Sequence, residues 1–174
     1  ALDGVTVATA DAMATALETA SDRARAAVAR PVDGTMLTVL DAMATEARER
    51  ADGGADLLEV IAAVRERSRS ALRETTGQLT VLREAEVVDA GSTGIVELFD
   101  LLYATVTGRT PQDSMLAEVA RAPKIIHEAT ADELEIVAVL ATEPTDSLGD
   151  ELDRLGGTSI VINAAKVHVH VADE

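Results

Sequence analysis

Residues 87–108 read Val87-Val88-Asp89-Ala90-Gly91-Ser92-Thr93-Gly94-Ile95 and on through VELFDLLYATVTG to Gly108, and the reading of this stretch decides the fold. Two β-branched residues lead into a turn spanning Asp89 to Gly94. An apolar helix then carries Ile95, Leu98, Phe99, Leu102 and Val106 at helical spacing, and Gly108 is placed to end it. Two readings of the turn are open. Its glycines can let backbone approach a ligand, with first-turn N–H groups facing an anion or a nucleotide edge. Alternatively, Asp89 caps the helix and the glycines only shape its entry.

Working outward, the segment before this stretch is helical in pattern. Thr9 to Arg30 is Ala-rich, with Met13, Leu17, Ala20, Ala24 and Val28 along one face, and Pro31 stops it. Asp33-Gly34-Thr35 begins a second helix that turns Met36, Leu37, Leu40, Met43 and Ala47 inward. After a loop at Asp52-Gly53-Gly54, Asp56 and Glu59 have capping-box spacing. Leu57, Ile61, Val64 and Leu72 continue that helix to about Thr76, with Gly77 closing it. Leu79 to Ala85 predicts one or two helical turns.

Beyond Gly108, Arg109-Thr110-Pro111 is the clearest break, followed by a short helix from Asp113 to Arg121 ended by Pro123. After Asp132 the period changes. Glu135 to Ala141 is a β-rich apolar run, Thr145 to Leu155 a helix, and Thr158 to Ile162 a second strand. Asn163-Ala164-Ala165 turns the chain into a third strand, where Val167, Val169 and Val171 alternate with Lys166, His168 and His170. The fold class is therefore α+β, mainly α: an antiparallel helical bundle or barrel part over 1–109, a linker with a short helix over 110–131, and a small β-α-β-β domain over 132–174. The first two strands are expected to run parallel through a right-handed crossover, and the last two to form a hairpin.

Composition narrows the function classes. Phe99 and Tyr103 are the only aromatic residues, so the core must be Ala, Leu, Val and Ile. A formal net charge of −16 argues against binding a nucleic-acid backbone or an anionic membrane surface. Without cysteine there is neither disulfide nor thiolate zinc site. No apolar run is long enough to span a bilayer, and a cytoplasmic location is expected. The chain opens on Ala1, which reads as a processed or partial chain.

Three segments together resemble a known family. Arg30-Pro31-Val32-Asp33-Gly34-Thr35-Met36-Leu37-Thr38-Val39 resembles the P-V-E-G-T-x-L-T-V segment of the dihydroxyacetone kinase L-domain (DhaL-like, DAK phosphatase) family. Val81 to Gly91 resembles its V-L-x-x-A-G-V-V-D-A-G-G-x-G segment. Lys166-Val167-His168-Val169-His170 resembles the V-K-V-H-V-H-T strand of the middle domain that follows in one branch, the fatty acid kinase A subunits. The similarity runs from about Ala16 to the end.

The resemblance implies an up-and-down helical barrel holding ATP or ADP with Mg2+ at one end. It implies phosphoryl transfer to a fatty acid on a separate fatty-acid-binding carrier protein, or to a triose on a dihydroxyacetone-binding subunit. Met36 corresponds to the Met against the adenine, with Thr35 preceding it in the same loop. Asp89, Ala90 and Gly91 correspond to the turn that contacts the nucleotide. A soft thioether suits a flat ring, whereas ordinary core packing is the plainer reading of Met36. The family's two magnesium ions sit on an Asp-Gly-Asp loop, and no Asp-x-Asp occurs in this sequence. The chain is thus expected not to transfer phosphate by itself, as a partial chain or a non-catalytic relative.

His168 and His170 fall on one strand face ~7 Å apart along the strand. In the resembled middle domain this pair belongs to a Zn2+ site completed by a Cys on the first strand. Here Val137 stands at about that place, His127 is a candidate third nitrogen, and two surface histidines without metal are the plain alternative. Asp11, Glu18 and Asp22 read as a solvated acidic face. Arg65, Arg67 and Arg69, each two apart, are not expected to form one anion patch. The alternative to a kinase part is a non-catalytic ligand-binding or dimerisation module, in which the tail pairs with a second copy as a homodimer.

Overall fold

A computed structural model describes residues 7–109 and 133–172. These divide into two compact units, 7–22 with 32–109 and 23–31 with 133–172. The predicted linker and its short helix, and His127, lie outside the described residues.

The first unit is helical: α1 (Ala10–Ala27, whose residues from Arg23 on belong to the second unit), α2 (Met36–Asp52), α3 (Leu57–Gln78), α4 (Thr80–Ala85) and α5 (Ala90–Thr107). Its core draws Ala14 and Leu17 from α1, Val39, Met43 and Ala47 from α2, Val60, Val64 and Ala71 from α3, and Phe99 from α5. With so few aromatics, Met43 and the aliphatic side chains fill the interior, each large one contributing roughly 1.5–3 kcal/mol by burial. The α3 start carries the predicted capping box. The Glu59 N–H donates to Asp56 Oδ1 at 2.9 Å, and the Asp56 N–H donates to Glu59 Oε2 at 2.8 Å.

Three helix details differ from the sequence reading. First, α1 buries Ala14, Leu17 and Ser21 and leaves Ala20 exposed. Polar tethers set that rotation. The Ser21 hydroxyl donates to Asp41 of α2, while Arg48 forks onto both Glu18 oxygens at 2.9 and 2.8 Å and reaches Asp11 at 2.6 Å. Asp11 and Glu18 are therefore paired rather than merely solvated. Second, α3 runs through Gly77 to Gln78, and extended Leu79 ends it. Third, α5 begins at Ala90 rather than Ile95. Asp89 caps it from an extended conformation, accepting from the Ser92 N–H at 2.7 Å, so Gly91 and Gly94 are helical residues and not a turn. Gly108 closes α5 in the left-handed conformation, as its position predicts.

The second unit holds β1 (Glu133–Val139), α6 (Leu148–Arg154), β2 (Thr158–Asn163) and β3 (Lys166–Ala172). The α+β, mainly α class holds, but the strand order is β1-β3-β2 with both pairs antiparallel. The first two strands thus run in the same direction without pairing, because β3 lies between them. Its fully apolar face explains the central place: Val167 and Val169 are buried, and a middle strand receives the most cover. Leu148 and Leu152 of α6 face Ile136, Val167 and Val169 across an apolar cavity of about 250 Å³. The outer edge of β2 is covered by the segment after α1. Val28 bridges to Val161, the Ala29 N–H donates to the Ile160 carbonyl at 3.1 Å, and Arg30 pairs with Asp153.

Candidate functional site

Two helix starts meet in the first unit. Thr35 is the N-cap of α2, but its hydroxyl donates to the Val32 carbonyl at 2.8 Å and makes no capping bond. Just before it, Gly34 has φ +82°, and a β-carbon there would lie 2.9 Å from Leu79 Cβ. Only a glycine allows the loop before Met36 to press so closely on the α3–α4 junction. Met36, the first residue of α2, is 39% exposed, so its side chain is a surface feature and not the plain core residue its apolar character suggests.

The start of α5 is fixed from a different side. The Asp89 N–H donates to Thr75 Oγ1 at 3.2 Å, the Thr75 hydroxyl donates to the Leu72 carbonyl at 2.7 Å, and the Thr76 hydroxyl donates to the Val87 carbonyl at 2.8 Å. The last turns of α3 therefore hold residues 87–89 in place. Ala90 and Gly91 form the exposed first turn of α5. A β-carbon on Gly91 would stand 3.6 Å from Met36 Cβ and 3.7 Å from Met36 Sδ. Thr35-Met36 and Asp89-Ala90-Gly91 are thus brought to one place.

The chemistry of the two starts differs. At α5, Asp89 Oδ2 already accepts from both the N–H and the hydroxyl of Ser92, each at 2.7 Å, so that helix end carries its own anion. At α2 Thr35 makes no capping bond and the Thr38 N–H turns back to the Thr35 carbonyl at 3.0 Å, which leaves the N–H groups of Met36 and Leu37 without an intrahelical acceptor. An acceptor, a thioether and an uncapped helix start side by side can receive a flat, amine-bearing ring with a nearby hydroxyl or phosphate.

The second unit gathers three metal-type donors. In the β1–β3 register Glu135 lies opposite His170 and Val137 opposite His168. Glu135 Oε1 is 3.1 Å from His168 Nε2, His168 Nε2 is 3.1 Å from His170 Nε2, and the three ligand atoms all lie within 4.8 Å of one another. Val137 has no donor to give. Sequence reasoning missed Glu135, although its odd-numbered place on β1 would have put it on the histidine face once the strand order was known.

As their spacing predicts, the three arginines do not share one patch. Arg65 and Arg69, one turn apart, both grip the buried Asp100 of α5, with Arg65 Nε 2.7 Å from Oδ1 and Arg69 Nη2 2.7 Å from Oδ2. Only Arg67 turns away, to Glu74. The pair is an internal tie between α3 and α5.

A sequence model described as the DAK2 domain matches residues 1–104. Protein YloV of Bacillus subtilis is 29% identical over 180 residues, covering 92% of this chain and 32% of its own length. An uncharacterized protein of Staphylococcus saprophyticus is 28% identical over 174 residues, with 86% and 30% covered. One from Staphylococcus aureus strain USA300 is 26% identical over 182 residues, with 91% and 32% covered. The chain spans about a third of the length of these curated relatives. Among the described residues no helix is long and apolar enough to cross a membrane. With more than half its residues matched by that domain, the chain belongs to the DAK2-domain family, the family of the dihydroxyacetone kinase L-domain.

Proposed function

We propose that the helical unit binds the adenosine part of ADP or ATP where α2 and α5 begin, as the nucleotide-holding part of a kinase of the dihydroxyacetone/fatty acid kinase type. The observation that carries this is the approach of Met36 to Gly91, where an added β-carbon would lie 3.6 Å from Met36 Cβ. The thioether offers a soft apolar surface to the purine face, and Gly91 leaves the ring room to approach backbone. The Asp89 carboxylate suits a purine amine or ribose hydroxyl and repels phosphate. The phosphates are then better directed toward the uncapped start of α2, where Thr35 leads into Met36.

Phosphoryl transfer needs metal charge to neutralise the phosphates. That need is acute in a chain of net charge −16 with no Asp-x-Asp sequence. In this reading the chain binds nucleotide and turns none over by itself. The acceptor in the complete system is a fatty acid on a carrier protein or a triose on a partner subunit.

Calorimetric titration of the full chain with Mg-ADP tests the reading. Saturable one-to-one binding is expected. Met36→Asp should weaken it at least about tenfold, or ~1.4 kcal/mol, while leaving folding intact, since an acid is favourable in a helix's first turn. No saturable binding to the wild-type chain, or unchanged binding to the variant, would refute the site. Rapid ATP turnover by this chain, given magnesium and carrier-bound acyl substrate, would refute the non-catalytic part.

A further inference from the structure

Both helix starts of the candidate site rest on one short stretch, Thr75 to Leu79, the end of α3 and its C-cap. Asp89 is the N-cap of α5, and the third residue of that helix, Ser92, gives both its N–H and its hydroxyl to the Asp89 carboxylate. In a reciprocal capping box the third side chain would instead accept from the N-cap N–H. Here the Asp89 N–H goes to an acceptor distant in sequence, Thr75 Oγ1 at 3.2 Å. Thr75 is buried, and its hydroxyl proton is committed to the Leu72 carbonyl at 2.7 Å, so its oxygen meets Asp89 as an acceptor. The next residue, Thr76, donates to the Val87 carbonyl at 2.8 Å. Adjacent helix residues project roughly 100° apart, so the two hydroxyls hold residues 87 and 89 from different sides. On the other rim, Gly34 brings the loop before Met36 against the same stretch. A β-carbon on Gly34 would lie 3.0 Å from Gln78 Cβ and 2.9 Å from Leu79 Cβ.

We propose that Thr75 and Thr76 are positioning residues for nucleotide binding: their hydroxyls latch residues 87–89 to the end of α3 and so hold Ala90 and Gly91 at the spacing from Met36 that a purine needs. Neither hydroxyl touches the nucleotide. Without the Thr75 hydroxyl, the Asp89 N–H has lost its acceptor in half-buried surroundings. An unpaired donor there is costly, so the chain shifts until water reaches it. The bonds from Ser92 do not resist that shift, because they lie within α5 and its cap and travel with them. A site that must be re-formed on each binding event holds its ligand more weakly than one already in place.

This role rests on the adenosine reading of the site, so the wild-type chain is titrated first. Calorimetry of the full chain with Mg-ADP is paired with urea unfolding of each variant without nucleotide. Thr75→Val keeps the branched shape, removes the acceptor, and should weaken binding about tenfold. Thr75→Ser restores the acceptor and should bind within about threefold of the wild type. Thr76→Val, at a half-buried position, should weaken binding about threefold, and carries the test if Thr75→Val does not fold. Ser68→Ala removes another buried hydroxyl of α3, one bonded to the Arg65 carbonyl at 2.8 Å, and should leave affinity unchanged. Thr75→Val combined with Asp89→Asn, which keeps a good N-cap, should lose less than the product of the single losses, because one residue acts through the other. Unchanged affinity in either valine variant that folds would overturn the positioning role and leave the nucleotide reading standing. So would Thr75→Ser binding as weakly as Thr75→Val, an equal loss in Ser68→Ala, or fully multiplicative losses in the double variant. No saturable binding by the wild type would overturn both.

Discussion

Met36 Sδ stands 3.7 Å from the point a β-carbon on Gly91 would occupy, although one residue opens α2 and the other lies in the first turn of α5. The same added carbon would lie 3.4 Å from Asp89 Oδ2, an ordinary contact. Gly91→Ala is therefore expected to leave stability unchanged or raise it by up to ~1 kcal/mol through helix propensity. It should weaken Mg-ADP binding by narrowing the approach to the backbone. Urea unfolding and calorimetry on the same protein check both halves, and weakened folding would show that the room beside Gly91 is structural.

Gly34 gives the opposite result. At φ +82°, and with Leu79 Cβ 2.9 Å from an added β-carbon, Gly34→Ala combines left-handed strain with a backbone clash. A loss of about 2 kcal/mol or more is expected, from ~1–2 kcal/mol of conformational strain plus overpacking. Denaturant titration measures it, and a near-neutral effect would mean that the α2 entry is not tightly seated on α3 and α4.

Asp100, Arg65 and Arg69 form a charged tie between α3 and α5, with the Arg65 guanidinium also 5.1 Å from the Tyr103 ring centre. Asp100→Ala removes the buried carboxylate that two largely buried cations share, although Arg65 keeps Glu66 at 2.6 Å, and should cost about 3 kcal/mol. Asp100→Leu combined with Arg65→Met and Arg69→Met should recover most of that loss, because apolar packing replaces buried ion pairs well. Equal losses in the single and triple variants, measured by urea unfolding, would contradict this account.

Glu18 carries a pH prediction. Its hydrogen bonds from Arg48 hold the carboxyl below the ordinary value of 4.5, against the opposing effects of burial and of Asp11. A folded-state value below the unfolded one gives stability that is present above the unfolded value and lost as pH falls through the folded one. Glu18→Gln should thus be less stable than the wild type at pH 7, and the difference should shrink as pH drops below about 4.5. The effect is small because Glu18 is 41% exposed and solvent screens the pair. Unfolding midpoints measured from pH 7 to pH 3 follow it, and a gap that widens in acid would reverse the assignment.

Much of the helical unit was legible because its signals are local. The Asp56–Glu59 box fixes the α3 start, Gly108 ends α5, and the spacing of Ile61, Val64 and Leu72 marks a buried face. Boundaries were less legible where a side chain competes with a glycine. Asp89 nucleates α5 despite Gly91 and Gly94, and Gly77 fails to stop α3 because packing carries the helix past it. The rotation of α1 was hidden because Ser21 and Arg48 set it through partners on α2 and α1 that no periodicity describes.

The sequence by itself determined that this chain is a helical body followed by a β-α-β-β tail, which segments open helices, and that His168 and His170 share a strand face. Hydrophobic period and capping chemistry act over a few residues, and those can be read directly. Only the tertiary structure decided that Met36 meets Gly91, that β3 separates β1 from β2, that Glu135 joins the two histidines, and that Asp100 answers Arg65 and Arg69. Each of these depends on which surfaces pack together across long stretches of chain, and packing is a property of the whole core rather than of any one segment.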